Sequence, residues 1–224
     1  MAKAKETLSE RVYTSIYDDI TGLKLRCGQK LTLKSLAEIY EVSYTPIREA
    51  LSRLSENGLV TYYSNCGVKV IEFSDDDIVD LYRFASELDA LAVSYCSRFP
   101  LRDALCRELR DNVESGNRAL SCGEYAAWDE YSKAFHKIFY SYAQSACLDG
   151  AATQIRPRLD LLSCIYYHYT NREEINKEHN HILENILAGD FEQAGRLMRA
   201  HLECDMLYAI KGYHAYRETQ GAEK

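Results

Sequence analysis

The sequence predicts a mainly α protein: a small N-terminal unit of short helices closed by a β-hairpin, then an all-α antiparallel helical bundle. Three observations predict it. Strand-like alternation is confined to residues 59–73. Before it, two short apolar-periodic segments are separated by only a few residues. After it, long helical periodicities are punctuated at Pro100, Gly123, Gly150 and Gly189-Asp190.

The elements follow in order. Val12, Ile16 and Ile20 recur at i, i+4, i+8, which predicts a helix over 8–22 with Ser9 or Thr7 as its cap. Gly28 marks a loop. Thr32 caps a second helix over 32–40, with Leu33, Leu36 and Ala37 on one face. Thr45 is read as the N-cap of a third helix, with Pro46 at its first position, where a missing N–H costs nothing. Ile47, Ala50, Leu51 and Leu54 form its buried stripe, and Gly58 ends it in the left-handed conformation. Two short helices joined this tightly form a helix-turn-helix. Leu59–Tyr63 and Val68–Phe73, joined at Ser64-Asn65-Cys66-Gly67, form a hairpin, and a hairpin in this place is a wing. The winged helix-turn-helix is thus assigned to 1–73. The remaining 74–224 is assigned to a bundle of about six helices, near 75–97, 101–120, 123–143, 147–169, 171–188 and 190–214. Ser74-Asp75-Asp76-Asp77 opens the first of them with acidic residues, which suit a positive helix end. Pro157 is expected to kink or split its helix.

Composition limits the function classes. The 224 residues are 46% hydrophobic and 27% charged, enough for a packed core. No run approaches the roughly 18 apolar residues of a membrane span. The polar start, Met-Ala-Lys-Ala-Lys-Glu, carries no apolar signal core, so the expected location is the cytoplasm and no membrane partner is expected. The eight cysteines contain no CxxC, which argues against a zinc finger or redox motif. Most are read as small buried apolar residues. The net charge is −7 but unevenly spread: residues 1–73 hold ten Lys/Arg and nine Asp/Glu, residues 74–224 hold 17 and 25. The acidity therefore lies outside the winged unit, whose basic groups can still serve phosphates if they share a face.

Residues 28–71 closely resemble the DNA-binding domain of the GntR family of bacterial regulators. The carriers are Gly28-x-x-Leu31, Leu36-Ala37, Val42-Ser43-x-Thr45-Pro46-Ile47-Arg48-Glu49-Ala50-Leu51, Leu54, Gly58-Leu59-Val60 and Gly67-x-x-Val70. Residues 75–214 resemble the all-helical ligand domain of the FadR subfamily, the FCD domain. There the carriers are Arg83-x-x-x-Glu87, Phe135-His136, Glu178-His179-x-x-Ile182, Gly189-Asp190, Ala194, Met198 and His201-Leu202. The resemblance implies a dimeric, ligand-responsive regulator of transcription that binds double-stranded operator DNA. It places Arg48 and the start of its helix in the major groove. The exposed set is expected to be Tyr44, Thr45, Arg48, Ser52 and Arg53, with Lys34 and Lys69 on the backbone. Tyr44 stands where the family usually has Arg, and Ser64-Asn65-Cys66 where its wing is often basic, so the operator is expected to differ from that of typical relatives.

His136, His179 and His201 lie on three predicted helices, each beside an apolar stripe, and can converge inside a bundle. Neutral imidazoles suit a divalent transition metal such as zinc, nickel, manganese or iron. By the resemblance, metal-binding members add an aspartate one turn before the first histidine; that position is Ser132. A water or an effector carboxylate would fill the vacancy. Asp129, two turns away, cannot simply substitute. His168, His181 and His214 are read as structural or exposed. The resemblance also directs Arg83 into the effector cavity, where a guanidinium suits a carboxylate; its plainer reading is a surface pair with Glu87. The effector is expected to be a small carboxylate. Two rival readings stand beside this one. Three histidines with an open position also make a catalytic zinc pattern, as in a metal-dependent hydrolase, but no general base can be assigned. The other is a non-sensing DNA-binding protein whose effector site has decayed at Ser132.

Overall fold

The computed structural model describes residues 7–63, 67–98, 102–167, 169 and 171–222. Two compact units emerge: Met1–Ser74 with Thr153–Cys164, and Asp75–Ala152 with Ile165–Lys224.

In the first unit, α1 (Leu8–Thr21) opens with a capping box in which Thr7 and Glu10 satisfy each other's backbone N–H groups. It buries Val12, Ile16 and Ile20. Strand β1 (Lys30–Leu31) precedes α2 (Leu33–Tyr40), which Thr32 caps. Glu41 closes α2 in the left-handed region, and α3 (Tyr44–Glu56) follows at once. The helix α3 starts earlier than expected. Ser43, not Thr45, is the N-cap, so Pro46 occupies the third position. Proline is tolerated there because the first four N–H groups of a helix have no intrahelical acceptor. Ile47, Ala50, Leu51 and Leu54 are fully buried, each large side chain contributing about 1.5–3 kcal/mol of burial. Gly58, at φ +70°, turns the chain out of α3, as its lack of a Cβ permits. Strands β2 (Val60–Tyr63) and β3 (Gly67–Val70) pair antiparallel, Val60 opposite Val70 and Tyr63 opposite Gly67. The expected turn at 64–66 lies outside the described residues. β3 also pairs with β1, giving a three-stranded sheet in the order β1-β3-β2. Tyr17 of α1 donates to Asp160 at 2.7 Å within this unit.

The second unit is built from α4 (Asp75–Cys96), α5 (Arg102–Ser121), α6 (Tyr125–Ala143), α8 (Arg172–Ala188) and α9 (Phe191–Ala222), with the ends of α7 (Ala146–Tyr166). α4 packs on α9, α9 on α8, α8 on α5, α5 on α6 and α6 on α4, so five helices close a ring around one interior. Between α5 and α8, Asn117 accepts from Asn176 and Asn180, and Asn176 in turn accepts from Trp128.

Several boundaries differ from expectation. Gly150 lies inside α7; the break falls at Gln144, in the left-handed region after α6. Pro157 does not split α7, which is helical on both sides of it. α9 runs past 214 because Tyr213 and Tyr216 continue its buried stripe. The expected break at Pro100 lies outside the described residues. The cysteines are not mostly buried: among the seven described, only Cys96 is, and Cys122 and Cys147 are exposed. No helix among the described residues is long and apolar enough to cross a membrane.

Candidate functional site

The winged unit presents one face of α3 to solvent. Tyr44, Arg48 and Ser52 recur every fourth residue and are exposed, as are Thr45 and Arg53; residues at this spacing share one helix face. Arg48 has no ion pair among the described residues. Arg53 is held back over the Tyr13 ring, 4.3 Å from its centroid. Lys34 is exposed on α2, 4.0 Å from Glu38, and Lys69 of β3 pairs with Glu72.

The ring of helices brings the three predicted histidines together. His136 comes from α6, His179 from α8 and His201 from α9, and all three are buried. Aromatic packing sets their planes: the His179 ring stacks on Phe135 at 4.2 Å and His136 lies parallel to His201 at 5.2 Å. Nε2 of His201 is 3.2 Å from Nε2 of His179 and 3.3 Å from Nε2 of His136.

The outer nitrogens fix the tautomers. Nδ1 of His136 lies 2.8 Å from Asp89, whose other oxygen accepts from Tyr140. Nδ1 of His201 lies 2.7 Å from Glu178. An ionised carboxylate only accepts, so each Nδ1 carries a proton and each neutral ring turns an Nε2 lone pair inward. Facing lone pairs do not bond each other. Either a proton on one ring or a metal ion shared among them resolves the arrangement. Ligand nitrogens about 2.1 Å from a shared ion stand roughly 3.0–3.4 Å apart, which matches both measured separations. The buried cluster is therefore geometrically compatible with a divalent metal, of unresolved identity.

Electrostatics bears on the alternative, a proton. Burial holds His179 neutral, well below the usual histidine range, with the other two rings adding to this. Burial also opposes charge on His201, but Asp205, Glu178 and Asp89 outweigh it and raise its pKa. A proton on His201 Nε2 serves one facing nitrogen at a time; a metal serves all three.

The other predicted residues fall differently. Ser132 is buried one turn before His136, and its hydroxyl is 2.8 Å from that of Tyr167. Asp129 is taken by Arg172 at 2.9 Å. Arg83 does not point into the interior. It is exposed, on the side of α4 away from Asp89, because six residues carry the chain well round the helix. Glu87 pairs with Arg199 at 3.0 Å rather than with Arg83. His181 and His214 are exposed, His214 against Asp75, and His168 lies outside the described residues. A cleft of about 510 Å³, bordered by Arg102, Asp190, Glu192 and Arg199, holds none of the predicted site residues. Sequence reasoning missed Asp89, Glu178 and Asp205. Glu178 carried a signal in its place beside His179; the other two carried none beyond helical spacing.

A family model described as bacterial regulatory proteins, gntR family, matches residues 8–70, and a model of the FCD domain matches residues 80–203. An uncharacterised HTH-type transcriptional regulator, BphR of Paraburkholderia xenovorans, is 28% identical over 214 residues, covering 88% of this chain and 83% of its own. The HTH-type transcriptional repressor GlaR of Escherichia coli is 26% identical over 208 residues, covering 85% and 90%. Among solved structures, McbR/YncC of E. coli superposes with a TM-score of 0.76 at 21% identity, over 92% of this chain and 99% of that one.

Proposed function

The chain belongs to the GntR family of bacterial regulatory proteins, with an FCD domain, and from this premise we propose that it reads operator DNA as a homodimer and answers a small carboxylate through a divalent ion held by three histidines. Membership makes it a ligand-responsive transcriptional regulator rather than an enzyme. Residues 1–73 read DNA in this proposal, and residues 74–224 sense the effector and dimerise.

Arg48 is the base reader, its planar fork suited to a guanine edge. Tyr44, Thr45 and Ser52 flank it on the same exposed face. Lys34, Arg53 and Lys69 position the backbone, Lys69 by exchanging Glu72 for phosphate. A dimer sets two such faces at a fixed half-site spacing.

The observation that carries the sensing half is the convergence of the Nε2 atoms, two of them tied by carboxylates at Nδ1. His136, His179 and His201 would hold the ion. When bound, it supplies a positive charge and open positions for a carboxylate. Asp89 and Glu178 orient two of the rings, as outer-shell partners of metal-bound histidines commonly do. Ser132 brings a hydroxyl rather than a charge. Because Arg83 faces outward, the anion is anchored by the ion, not by Arg83.

The test is fluorescence anisotropy on a footprinted operator, with small carboxylates titrated in the presence and absence of divalent ions. The expected result is a carboxylate that shifts operator affinity only in metal-loaded protein, and not in His179→Ala. A shift that persists in His179→Ala, or no response to any carboxylate, contradicts the reading. The second outcome favours a regulator whose effector site has decayed.

A further inference from the structure

Three neutral imidazoles leave a divalent ion with its full charge inside a bundle. Burying an uncompensated charge is costly, so a carboxylate is needed near it. Ser132 cannot supply one, and its hydroxyl is engaged with Tyr167. Asp89 has both oxygens committed, to His136 and Tyr140. Glu178 is half-buried and sits at Nδ1 of His201, across the ring from the converging nitrogens.

Asp205 is different. It follows His201 by one turn of α9 and is 3% exposed. Its Oδ2 accepts from Tyr166 at 2.8 Å and lies 3.6 Å from Nε2 of His201, on the side where the nitrogens meet. Its Oδ1 is buried with no hydrogen-bond partner among the described residues. A buried carboxylate oxygen without a partner is costly unless something else satisfies it.

We propose that Asp205 supplies the carboxylate of this metal site, donated from α9. The inference rests on the metal reading above. Tyr166 holds Oδ2, and the other oxygen is left for a water bound to the ion, because Asp205 stands outside the three-histidine set that could grip one ion directly. The Asp205 charge then offsets part of the ion's charge, and that water meets the unsatisfied acceptor.

The test is calorimetric titration of the full chain with Ni²⁺ and, separately, Mn²⁺. Both are run in a background where the exposed cysteines Cys122 and Cys147 are replaced by Ser. Asp205→Asn keeps an acceptor for Tyr166, so the fold should survive, as a melting curve will check. Its metal affinity should fall about 10- to 100-fold, the range for losing a supporting group of a metal site. Adding Ser132→Asp to Asp205→Asn should restore affinity, which a merely structural role for Asp205 does not explain. An Asp205→Asn affinity within twofold of the parent overturns the proposal and leaves Asp205 as the acceptor of Tyr166. A parent protein that binds neither ion overturns the metal reading itself, which the variant comparison keeps separate.

Discussion

Arg48 is exposed on the open face of α3 and pairs with nothing in its own chain among the described residues. Arg48→Ala should therefore leave the melting temperature unchanged and weaken operator binding by about 1–3 kcal/mol, the range for one bidentate base contact. Equal affinities on the same footprinted site would remove Arg48 from the reading set. At this scale the sequence was informative where chemistry is rare and weak where burial decides. Three histidines beside apolar stripes were legible, because few residues offer an imidazole lone pair. Asp205 was not, since an aspartate one turn after a histidine is as consistent with a solvated pair as with a buried ligand. Its tie to Tyr166, from another helix, appears only in the structure. The cysteines failed for the same reason: their side chains suit a core, but Cys122 falls in the turn after α5 and Cys147 in the first turn of α7, and both are exposed.

Helix packing in the bundle includes a close approach at Gly212. A Cβ on Gly212 of α9 would stand 2.8 Å from both Cα and Cβ of Tyr166, and neither of those atoms can swing aside. Gly212→Ala gains about 1 kcal/mol of helix propensity but overpacks the crossing, which costs about 1–3 kcal/mol. The net expectation is a loss of up to about 2 kcal/mol in denaturant unfolding; a gain would mean that α9 and Tyr166 lie farther apart. Element existence was well predicted, because apolar periodicity and caps such as Thr7 and Thr32 act locally. The errors fell where local signals tie. Ser43 and Thr45 are equally good caps by chemistry, and the backbone chose the first. Gly150 reads as a break, yet Gln144 takes the left-handed turn and leaves Gly150 inside α7. β1 is two residues long and exists only because β3 pairs with it, so no local pattern announces it.

The whole molecule should work as a pair. It is expected to sediment as a dimer at micromolar concentration and to protect two half-sites related by a dyad; a monomer protecting one half-site would contradict the paired reading. Sensing by the bundle and reading by the winged unit are linked thermodynamically: an effector can shift operator affinity only as far as it prefers one state of the protein. In the proposal above, that preference originates at the buried histidines. The most direct test of this account is the metal content of protein purified without chelator, followed by titration of the metal-free chain, for the parent and for His179→Ala. The account predicts one divalent ion per parent chain and none in the variant. A parent chain that stays metal-free at high micromolar ion would contradict it.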